Sequence, residues 1–413
     1  SAASDVYKRQ IVLCAAIFVS FPTVVSSFAY MYTADAYLLA FLLATLAVYL
    51  TWCVKKWGTI AGMVCLAFAM GIYQAYATVA IVLVLLYIIR QFVIEKLDFL
   101  EAVRKDLKYL GMLVGGAVLY AVILKITLIR YNITLPGYQG IGALGIMSLG
   151  QYKAALQKTL YHFRLILGME HGVEKHVYSL LNAAALLLIG LILIYLLVRN
   201  QVYKKKMSML ASIAAVCLIP VGAYFINFTS PDVQYYTLME MAVCLIYLLM
   251  IIMLLQLDWK TWISKILKGC GIFVLCGLVY YNVINCNIAY FNMNLSYHKS
   301  ISIAEDVLQR IEQMDEFQNQ HDKVVIMGDY NCATENLQIM MPSIMGISND
   351  SFLNDSYHYT IIWNYCFGVQ MEQASYDEMM EIVETDEYKN MSVYPLKGCV
   401  EYINGIIVVK MQE

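Results

Sequence analysis

Charged residues are scarce in this chain. Asp, Glu, Lys and Arg make up 14% of the 413 residues, whereas 61% are hydrophobic and the mean hydropathy is +0.64. Soluble domains are about one quarter charged and about half apolar. This composition therefore excludes an ordinary soluble domain and indicates an integral membrane protein. The formal net charge of −2 is uninformative about partners, because charges of each sign are segregated along the chain.

The chain also lacks the cysteine spacing of metal sites and disulfide frameworks. It has 11 cysteines and no CxxC pair, and eight of the 11 lie in apolar segments, where Cys behaves as a small hydrophobic residue. The other three, Cys332, Cys366 and Cys399, lie in the polar tail and can form one disulfide at most. We therefore expect no disulfide framework, no metal and no cofactor.

Two motif-like strings carry little weight. Gly140, Gly142 and Gly145 match G-x-G-x-x-G, but no strand precedes them, so a dinucleotide-binding fold is not predicted. The string EHGVEKH at 170–176 gathers acids and histidines. Without a shared helix face and supporting partners it indicates a solvated loop rather than a metal site.

Long apolar runs define the membrane region, because a helix needs about 20 residues to cross a hydrocarbon core of about 30 Å. Seven runs qualify: 11–31, 35–54, 107–129, 178–198, 208–228, 238–257 and 268–287. The stretch 59–90 is too long for one upright span and is interrupted by GIYQAY. We interpret it as a hairpin of two short or broken helices, which brings the predicted total to about nine crossings for a polytopic α-helical membrane protein.

Basic residues set the predicted orientation. The loops 55–57, 90–108, 199–207 and 258–268 hold 14 of the 28 Lys and Arg residues, whereas 32–34, 229–237 and the GIYQAY tip hold none. By the positive-inside rule the first group is cytoplasmic. The loop 130–177 and the tail then lie outside a bacterial cytoplasmic (inner) membrane. The loop 130–177 carries five cations against the rule, which makes those cations candidates for function.

The tail, 288–413, is predicted to be an extracytoplasmic α/β domain that follows a membrane domain over 11–287. ISIAEDVLQRIEQM has amphipathic helix spacing, and KVVIMGDY resembles a short buried strand. CVEYINGIIVVKM predicts a hairpin, since Asn404-Gly405 suits a type I′ turn. With 19 acidic and 6 basic residues, the tail is not expected to bind nucleic acid or anionic lipid.

The first ten residues, SAASDVYKRQ, run directly into apolar sequence. The stretch from Asp5 to Gln10 can be reverse-translated into the transposon end that is used to build sequencing libraries. Cations that anchor a span from the cytoplasmic side are the other interpretation. We expect residues 1–10 to be a library scar that replaces further spans and an outer loop.

Several polar residues lie at the predicted outer face. Asp35 is a candidate catalytic base, or else a charge that stabilises a helix N-terminus. Tyr73, Gln74 and Tyr76 are candidates for substrate binding, because polar irregular backbone at membrane depth persists only when it is buried or lines a wet cavity. For the tyrosines an interfacial aromatic belt is the alternative. Glu240 is a further substrate-binding candidate as an intramembrane acid, although its depth is shallow.

Three cations form a candidate phosphate site at the outer end of the 107–129 span. Lys125 lies within the apolar run, while Arg130 and Arg164 lie beyond it in the sequence. Arg offers a bidentate fork that suits phosphate. For Lys125, a side chain that merely snorkels to the interface is the alternative explanation.

Three stretches carry a family resemblance: FPTVVSSFAYMYTADAYLLAFLLATLAVYL, AFAMGIYQAYATVAIVL and YPLKGCVEYINGIIVVKM. They resemble the bacterial serotype-converting O-antigen glucosyltransferases (Gtr-type), which are similar in plan to the GT-C class of membrane transferases. The resemblance covers 11–413. It implies transfer of a sugar, glucose in this family, from a polyprenyl-phosphate donor in the membrane lipid to a cell-surface glycan acceptor.

The resemblance also places the family's catalytic acids in the first outer loop, upstream of residue 11. The sequence is therefore expected to be a fragment without them, and no catalytic acid is transferred to it by resemblance. Two other functional classes remain open. A transporter or flippase for a polyprenyl-linked glycan would also use broken helices, although no internal repeat relates two halves of the chain. A non-catalytic scaffold that presents the acidic tail is the third.

Overall fold

In the computed structural model, residues 2–412 are described except 135–144, 146, 169–176, 234, 319–321, 331–351 and 354. The EHGVEKH string and the first two glycines of the G-x-G-x-x-G string fall outside this range. Contacts divide the chain into one unit that ends at Cys286 and a second that begins at Asn287. The helix that contains this boundary contributes residues to both units.

The first unit is built of helices. They are α1 (Ala2–Ser20), α2 (Pro22–Ala29), α3 (Ala34–Cys53), α4 (Gly58–Ile72), α5 (Ala77–Val93), α6 (Phe99–Tyr131), α7 (Leu149–Ile166), α8 (Val177–Arg199), α9 (Lys206–Cys217), α10 (Ile219–Ala223), α11 (Leu245–Leu255) and the first part of α12 (Trp262–Glu312). Short 3₁₀ turns lie between several of them, including Gln74–Tyr76, Phe225–Phe228, Thr237–Met239 and Met241–Cys244.

Several of these helices are long and apolar enough to cross a membrane. Among the described residues there are five: Met31–Cys53, Gln74–Val93, Phe99–Tyr131, Val177–Arg199 and Trp262–Glu312. A sixth is possible if Ile11–Ser20 and Pro22–Ala29, which meet at a 46° bend, act as one broken span. The shorter apolar helices Gly58–Ile72, Lys206–Cys217 and Met241–Leu255 occupy the other three predicted crossings. The total of nine crossings stays a prediction.

Two helices occupy the stretch predicted to form a hairpin. α4 ends at Ile72, Tyr73 has extended backbone (φ −158°, ψ 114°), and one 3₁₀ turn over Gln74–Tyr76 leads into α5. The polar residues of GIYQAY therefore lie on the connection between two apolar helices, as the interruption in the hydrophobic run predicts.

Glycines allow α3, α4 and α6 to pack closely. A Cβ added at Gly62 of α4 would lie 2.7 Å from the backbone oxygen of Ala47 and 2.9 Å from Met112 Cγ. A Cβ at Gly116 of α6 would meet Leu66 at 2.9 Å. Small residues commonly mediate such close helix contacts in membranes, where association depends on packing. This contact fixes α4 against α6, which positions the cavity described below.

The helix α12 differs from the prediction. Sequence reasoning separates a span over 268–287 from an amphipathic helix over 301–314, but the structure has one continuous helix of 51 residues. The intervening residues include no Gly or Pro, since Gly277 is the last of either type before the helix ends. Nothing local therefore terminates the helix.

The second unit is a small α/β domain, as predicted. Its elements after α12 are β1 (Lys323–Met327), α13 (Ser356–Ile362), a π turn (Trp363–Phe367), β2 (Glu372–Gln373), α14 (Tyr376–Val383), α15 (Asp386–Asn390), β3 (Val400–Ile403) and β4 (Ile406–Lys410). The strand order is β2-β1-β4-β3. β1 pairs in parallel with β2 and β4, and β3 pairs antiparallel with β4.

The sheet is covered on both faces. On one face Val307 and Ile311 of α12 pack with Ile326 and Val409. On the other face Ile382 of α14 belongs to a second apolar cluster, which includes strand residues of β1, β3 and β4. Burial on both faces explains the continuous apolar run of β4.

The predicted type I′ hairpin is present between β3 and β4. Ile403 pairs with Ile406, and the two turn residues Asn404 and Gly405 have φ of 51° and 84°. Positive φ at both central positions defines this turn, and Asn and Gly tolerate it best. The local sequence alone therefore specifies the turn.

Candidate functional site

The first unit contains a cavity of about 690 Å³ between α4, α5, α6 and the segment 225–239. Its wall is mainly apolar and includes Leu66, Ile81, Leu110 and Leu113. Leu110 and Tyr120 both line it, and ten residues of helix correspond to about 15 Å at 1.5 Å per residue. The cavity is therefore elongated along α6.

One end of the cavity is polar. Gln74 Nε2 donates a hydrogen bond to Tyr120 Oη at 2.8 Å, and both residues line the cavity. Tyr73 and Val233 also line it and pack together in one cluster. The hairpin tip and the segment 229–237 thus meet at this end, which is the outer end in the orientation predicted from the charge pattern. Sequence reasoning selected Gln74 but missed Tyr120, whose only signal is a phenol near the end of an apolar run.

The three aromatic residues Tyr37, Tyr73 and Tyr76 form a cluster beside this end. Ring centroids are 5.1 Å apart for Tyr37 and Tyr73 and 6.0 Å apart for Tyr73 and Tyr76. Tyr73 is half-buried and faces the cavity, whereas Tyr76 is 3% exposed and belongs to the main apolar core. The two predicted tyrosines of the tip, Tyr73 and Tyr76, are therefore adjacent but have different environments.

Asp35 lies in the first turn of α3 and is exposed. Its Oδ1 accepts a hydrogen bond from the backbone N–H of Ala36 at 2.8 Å. A carboxylate at this position interacts favourably with the helix dipole. Tyr37, two residues further along the helix, contacts Tyr73, but residues two apart on a helix do not face each other, and Asp35 is not among the residues that line the cavity. Both interpretations of Asp35 are compatible with this geometry.

Glu240 is almost completely buried, at 1% exposure, in a cluster of aromatic and polar side chains. Tyr224 Oη donates to Glu240 Oε1 at 2.8 Å, and His162 Nδ1 lies 4.0 Å from the same oxygen. The His162 ring packs against Tyr235 at 5.2 Å between centroids. Glu240 Oε2 has no hydrogen-bond partner within the described part of the chain. The acid is thus next to a possible proton donor and retains one free acceptor.

The helix α7 connects this cluster to the cavity wall. Asn227 Nδ2 donates to Thr159 Oγ1 at 3.2 Å, and the neighbouring Lys158 donates from Nζ to the carbonyl oxygen of Val233. Burial lowers the pKa of Lys158, and the nearby Asp232 acts in the opposite direction. Sequence reasoning counted Lys158 among the five outer cations without singling it out, because its partner is 75 residues away.

The three predicted phosphate ligands lie on two different helices. Lys125 and Arg130 are on the last turns of α6, and Arg164 is in the last turn of α7. All three side chains are exposed. Among the described residues no hydrogen bond or ion pair joins them to other side chains, so their charges are available to a ligand.

The second unit has a separate polar cavity of about 420 Å³. Asp322, Glu381, Tyr402 and Asn404 line it, together with an ion pair between Lys323 Nζ and Glu378 Oε1 at 2.6 Å. Hydroxyl-rich ligands suit such a mixture of carboxylate, amide and phenol groups. No group of three or more His, Cys, Asp or Glu side chains suited to a metal ion is found among the described residues.

An apolar cavity with a few polar groups at one end is typical of small-molecule binding sites. The comparison with known families is more specific. The family described as Glucosyl transferase GtrII matches residues 8–239, more than half of the chain. The chain therefore belongs to this family of glycosyltransferases, in agreement with the resemblance inferred from the sequence. No curated protein and no solved structure matches the chain at a significant level.

Proposed function

We propose that the chain is a membrane glycosyltransferase that moves a hexose, glucose, from a polyprenyl-phosphate carrier to a cell-surface glycan at the outer face of the bacterial inner membrane. The observation that carries this proposal is the elongated apolar cavity with Tyr73, Gln74 and Tyr120 at one end. An apolar channel suits an isoprenoid chain, and polar groups at its end suit the sugar phosphate. Membership of the glucosyl transferase family supplies the reaction class.

In the proposed reaction an acceptor hydroxyl attacks the anomeric carbon of the donor sugar. The bond from that carbon to the phosphate oxygen breaks, and the lipid phosphate leaves. A carboxylate accepts the hydroxyl proton, and we assign this role to Asp35, since its exposure allows an acceptor to reach it. Cations stabilise the departing phosphate, a role assigned to Lys125, Arg130 and Arg164.

The remaining candidates bind the sugar in this scheme. Tyr73 and Gln74 lie at the cavity end, where a ring face and an amide can contact a hexose. Tyr76 supports Tyr73 from within the core. Glu240 stays a candidate for binding a sugar hydroxyl: its Oε2 has no hydrogen-bond partner among the described residues, but it is buried and Glu240 does not line the cavity. The polar cavity of the second unit is suited to the glycan acceptor.

Reconstitution of the full-length protein in proteoliposomes tests the proposal. The donor is polyprenyl-phosphate glucose labelled in the sugar, and the acceptor is a lipopolysaccharide glycan. We expect label in the glycan and release of polyprenyl phosphate. Movement of the labelled donor between leaflets without transfer would instead show a transporter. If the donor is neither moved between leaflets nor used for transfer, both functions are contradicted.

A further inference from the structure

The helix α7 has an exposed apolar face that the proposed function does not use. Leu149, Leu156 and Leu160 are 87%, 42% and 48% exposed. Residues seven or four positions apart lie on one side of an α-helix, because a turn takes about 3.6 residues. Tyr152 is exposed on the same side. These four residues form the apolar face of α7.

A different side of α7 packs on the protein. Ala155 and Thr159 are buried. Thr159 Oγ1 accepts a hydrogen bond from Asn227 Nδ2 at 3.2 Å, and Lys158 Nζ donates to the carbonyl oxygen of Val233, which lines the apolar cavity. A leucine of the apolar face follows each of the two buried residues directly and is therefore rotated from it by about 100°. The apolar face is thus not the side by which α7 contacts this segment.

The position of α7 in the chain places it next to a bilayer surface. It lies between α6 and α8, which are both long and apolar enough to cross a membrane. α7 has 18 residues but is not among the candidate spans in the described part of the chain. Its C-terminal end is fixed to the first turns of α8, where Asn182 Nδ2 donates to the carbonyl oxygen of Leu167 at 3.2 Å and the Ser179 hydroxyl donates to that of Gly168. The end of α7 therefore lies at the end of a spanning helix.

The charges of α7 are all positive. The helix carries Lys153, Lys158 and Arg164 and no Asp or Glu. Lys153 and Arg164 are exposed. They follow Leu149 and Leu160, respectively, by four residues, which corresponds to about 40° around the helix. Cations beside an apolar face are typical of helices that lie in the interface of an anionic bilayer.

We propose that α7 lies flat on the bilayer surface and binds anionic phospholipids. The apolar face enters the boundary between headgroups and acyl chains, to a depth of about 5–10 Å in helices of this kind, and Lys153 lies beside the lipid phosphates. At 1.5 Å per residue the helix is about 27 Å long, so it presents a contact surface for several lipids. A second copy packed on this face through a twofold axis would bring cations against cations.

This inference goes beyond the proposed function, because it concerns a lipid surface and not the transfer reaction. It also gives the bilayer an effect on the cavity. The contacts of Lys158 and Thr159 join α7 to the segment that contains Val233. A helix held by the bilayer would therefore hold that part of the cavity wall in place.

Photo-crosslinking of the full-length protein in nanodiscs tests the position of the apolar face. p-Benzoylphenylalanine replaces Leu156 or Leu160 on the face, or Ala154 as the matched control. Ala154 is also exposed, but it lies about 160° around the helix from Leu156. We expect phospholipid adducts at the two leucine positions and few at Ala154, as measured by mass spectrometry.

Three results would overturn the proposed position. The absence of lipid adducts at both leucine positions would show that the face is in water. Equal yields of lipid adducts at all three positions would show that α7 is immersed in lipid on every side. Adducts with protein at the leucine positions would show that a second copy or another polypeptide segment covers the face.

Nanodiscs with equal amounts of phosphatidylglycerol and phosphatidylcholine test the preference for anionic lipid. A basic side chain near an anionic surface favours binding about fivefold. Lys153→Gln should therefore lower the ratio of phosphatidylglycerol to phosphatidylcholine adducts at position 156 about fivefold, whereas Lys153→Arg should keep it. Arg164 stays unchanged, since the proposed function assigns it to the donor.

An unchanged adduct ratio in Lys153→Gln would overturn the assignment of anionic phospholipid as the partner. An equal loss in Lys153→Gln and Lys153→Arg would do the same, because the positive charge is kept in the second variant. No sugar transfer is measured in either experiment, so failure of this proposal and failure of the proposed function are separate results.

Discussion

The carboxyl groups of Asp35 and Glu240 lie in different environments, which fit the different roles that we propose for them. Asp35 is exposed at the start of a helix, with its oxygen on a backbone N–H. Glu240 is buried and accepts a hydrogen bond from Tyr224. A catalytic base must be accessible to the glycan acceptor, and the exposed Asp35 carboxylate meets this requirement. A residue that orients the donor sugar does not need to be accessible to the acceptor, so the burial of Glu240 is compatible with such a role.

Asp35→Asn tests the first of these roles. The amide keeps the size and the hydrogen bond of the side chain but cannot accept a proton, so we expect transfer to fall about 10²–10⁴-fold. Stability should change little, since a charge at an exposed helix N-terminus is worth about 0.3–1 kcal/mol. Glycan labelling and thermal unfolding of one preparation check both. A stability change with normal transfer would assign Asp35 to the helix alone.

The exposed cations give a graded prediction. Arg130→Gln and Arg164→Gln should each weaken donor use about tenfold to hundredfold, as expected for a charged hydrogen bond of about 1.5–3 kcal/mol. Lys125→Met should cost less if that side chain merely snorkels. The measurement is the transfer rate as a function of donor concentration. Unchanged rates for all three variants, in protein that inserts normally, would contradict a phosphate-binding role for these cations.

The ion pair Lys323–Glu378 is expected to make the stability of the second unit depend on pH in the acid range. The hydrogen bond from Lys323, with help from Ser375, lowers the pKa of Glu378 to about 2 from an ordinary 4.5. A lowered folded pKa contributes stability that is present above pH 4.5 and is lost as the pH falls towards 2. Hydrogen exchange in β1 and α14 of the full chain should therefore accelerate over this window. Glu378→Gln should remove that dependence, and an unchanged pH profile would show that the pair is inert.

At the scale of elements, close helix packing positions the cavity. A Cβ at Gly62 would meet the backbone oxygen of Ala47, which cannot move without its helix. At Gly111 of α6 nothing lies within 4 Å of an added Cβ. These two glycines are therefore a matched pair within neighbouring helices.

Gly62→Ala is expected to separate α3 from α4 and to destabilise the unit by about 1–3 kcal/mol, as overpacking does. Gly111→Ala should be neutral or slightly stabilising, because Ala favours helix over Gly by about 1 kcal/mol. Thermal unfolding in the same nanodiscs measures both. Equal melting temperatures for the two variants would show that the close approach is not maintained.

Local signals account for what the sequence predicts well. Asn404-Gly405 specifies its turn without help from the rest of the chain, and GIYQAY interrupts an apolar run at the point where two helices meet. The sequence does not predict that α12 is one continuous helix. The absence of Gly and Pro permits a helix to continue, but no residue pattern specifies that it does. Contacts such as Lys158 with Val233, or His162 with Glu240, join residues about 75 positions apart. The periodicity and spacing of residues along the chain do not predict contacts between residues so far apart.

At the scale of the whole molecule, charge segregation predicts which surfaces face the cytoplasm. Cys366 is exposed in the second unit, and the basic loop around Lys204 belongs to the first. An impermeant maleimide applied to intact cells should label Cys366. It should label a Lys204→Cys variant, made in a Cys332→Ser, Cys366→Ser background, only after the membrane is opened. The reverse labelling pattern would show that the predicted orientation is wrong and that the polar end of the cavity faces the cytoplasm.

The apolar cavity also affects how the protein behaves once it is extracted from its membrane. An elongated hydrophobic space of this size does not favour water, so an alkyl chain from the detergent micelle is a natural occupant. Detergent would then act as a competitive inhibitor of any lipid-linked ligand, and more strongly as its tail lengthens. Apparent Michaelis constants measured in micelles would describe this exchange as much as the affinity of the enzyme, whereas a bilayer of defined lipids would separate the two.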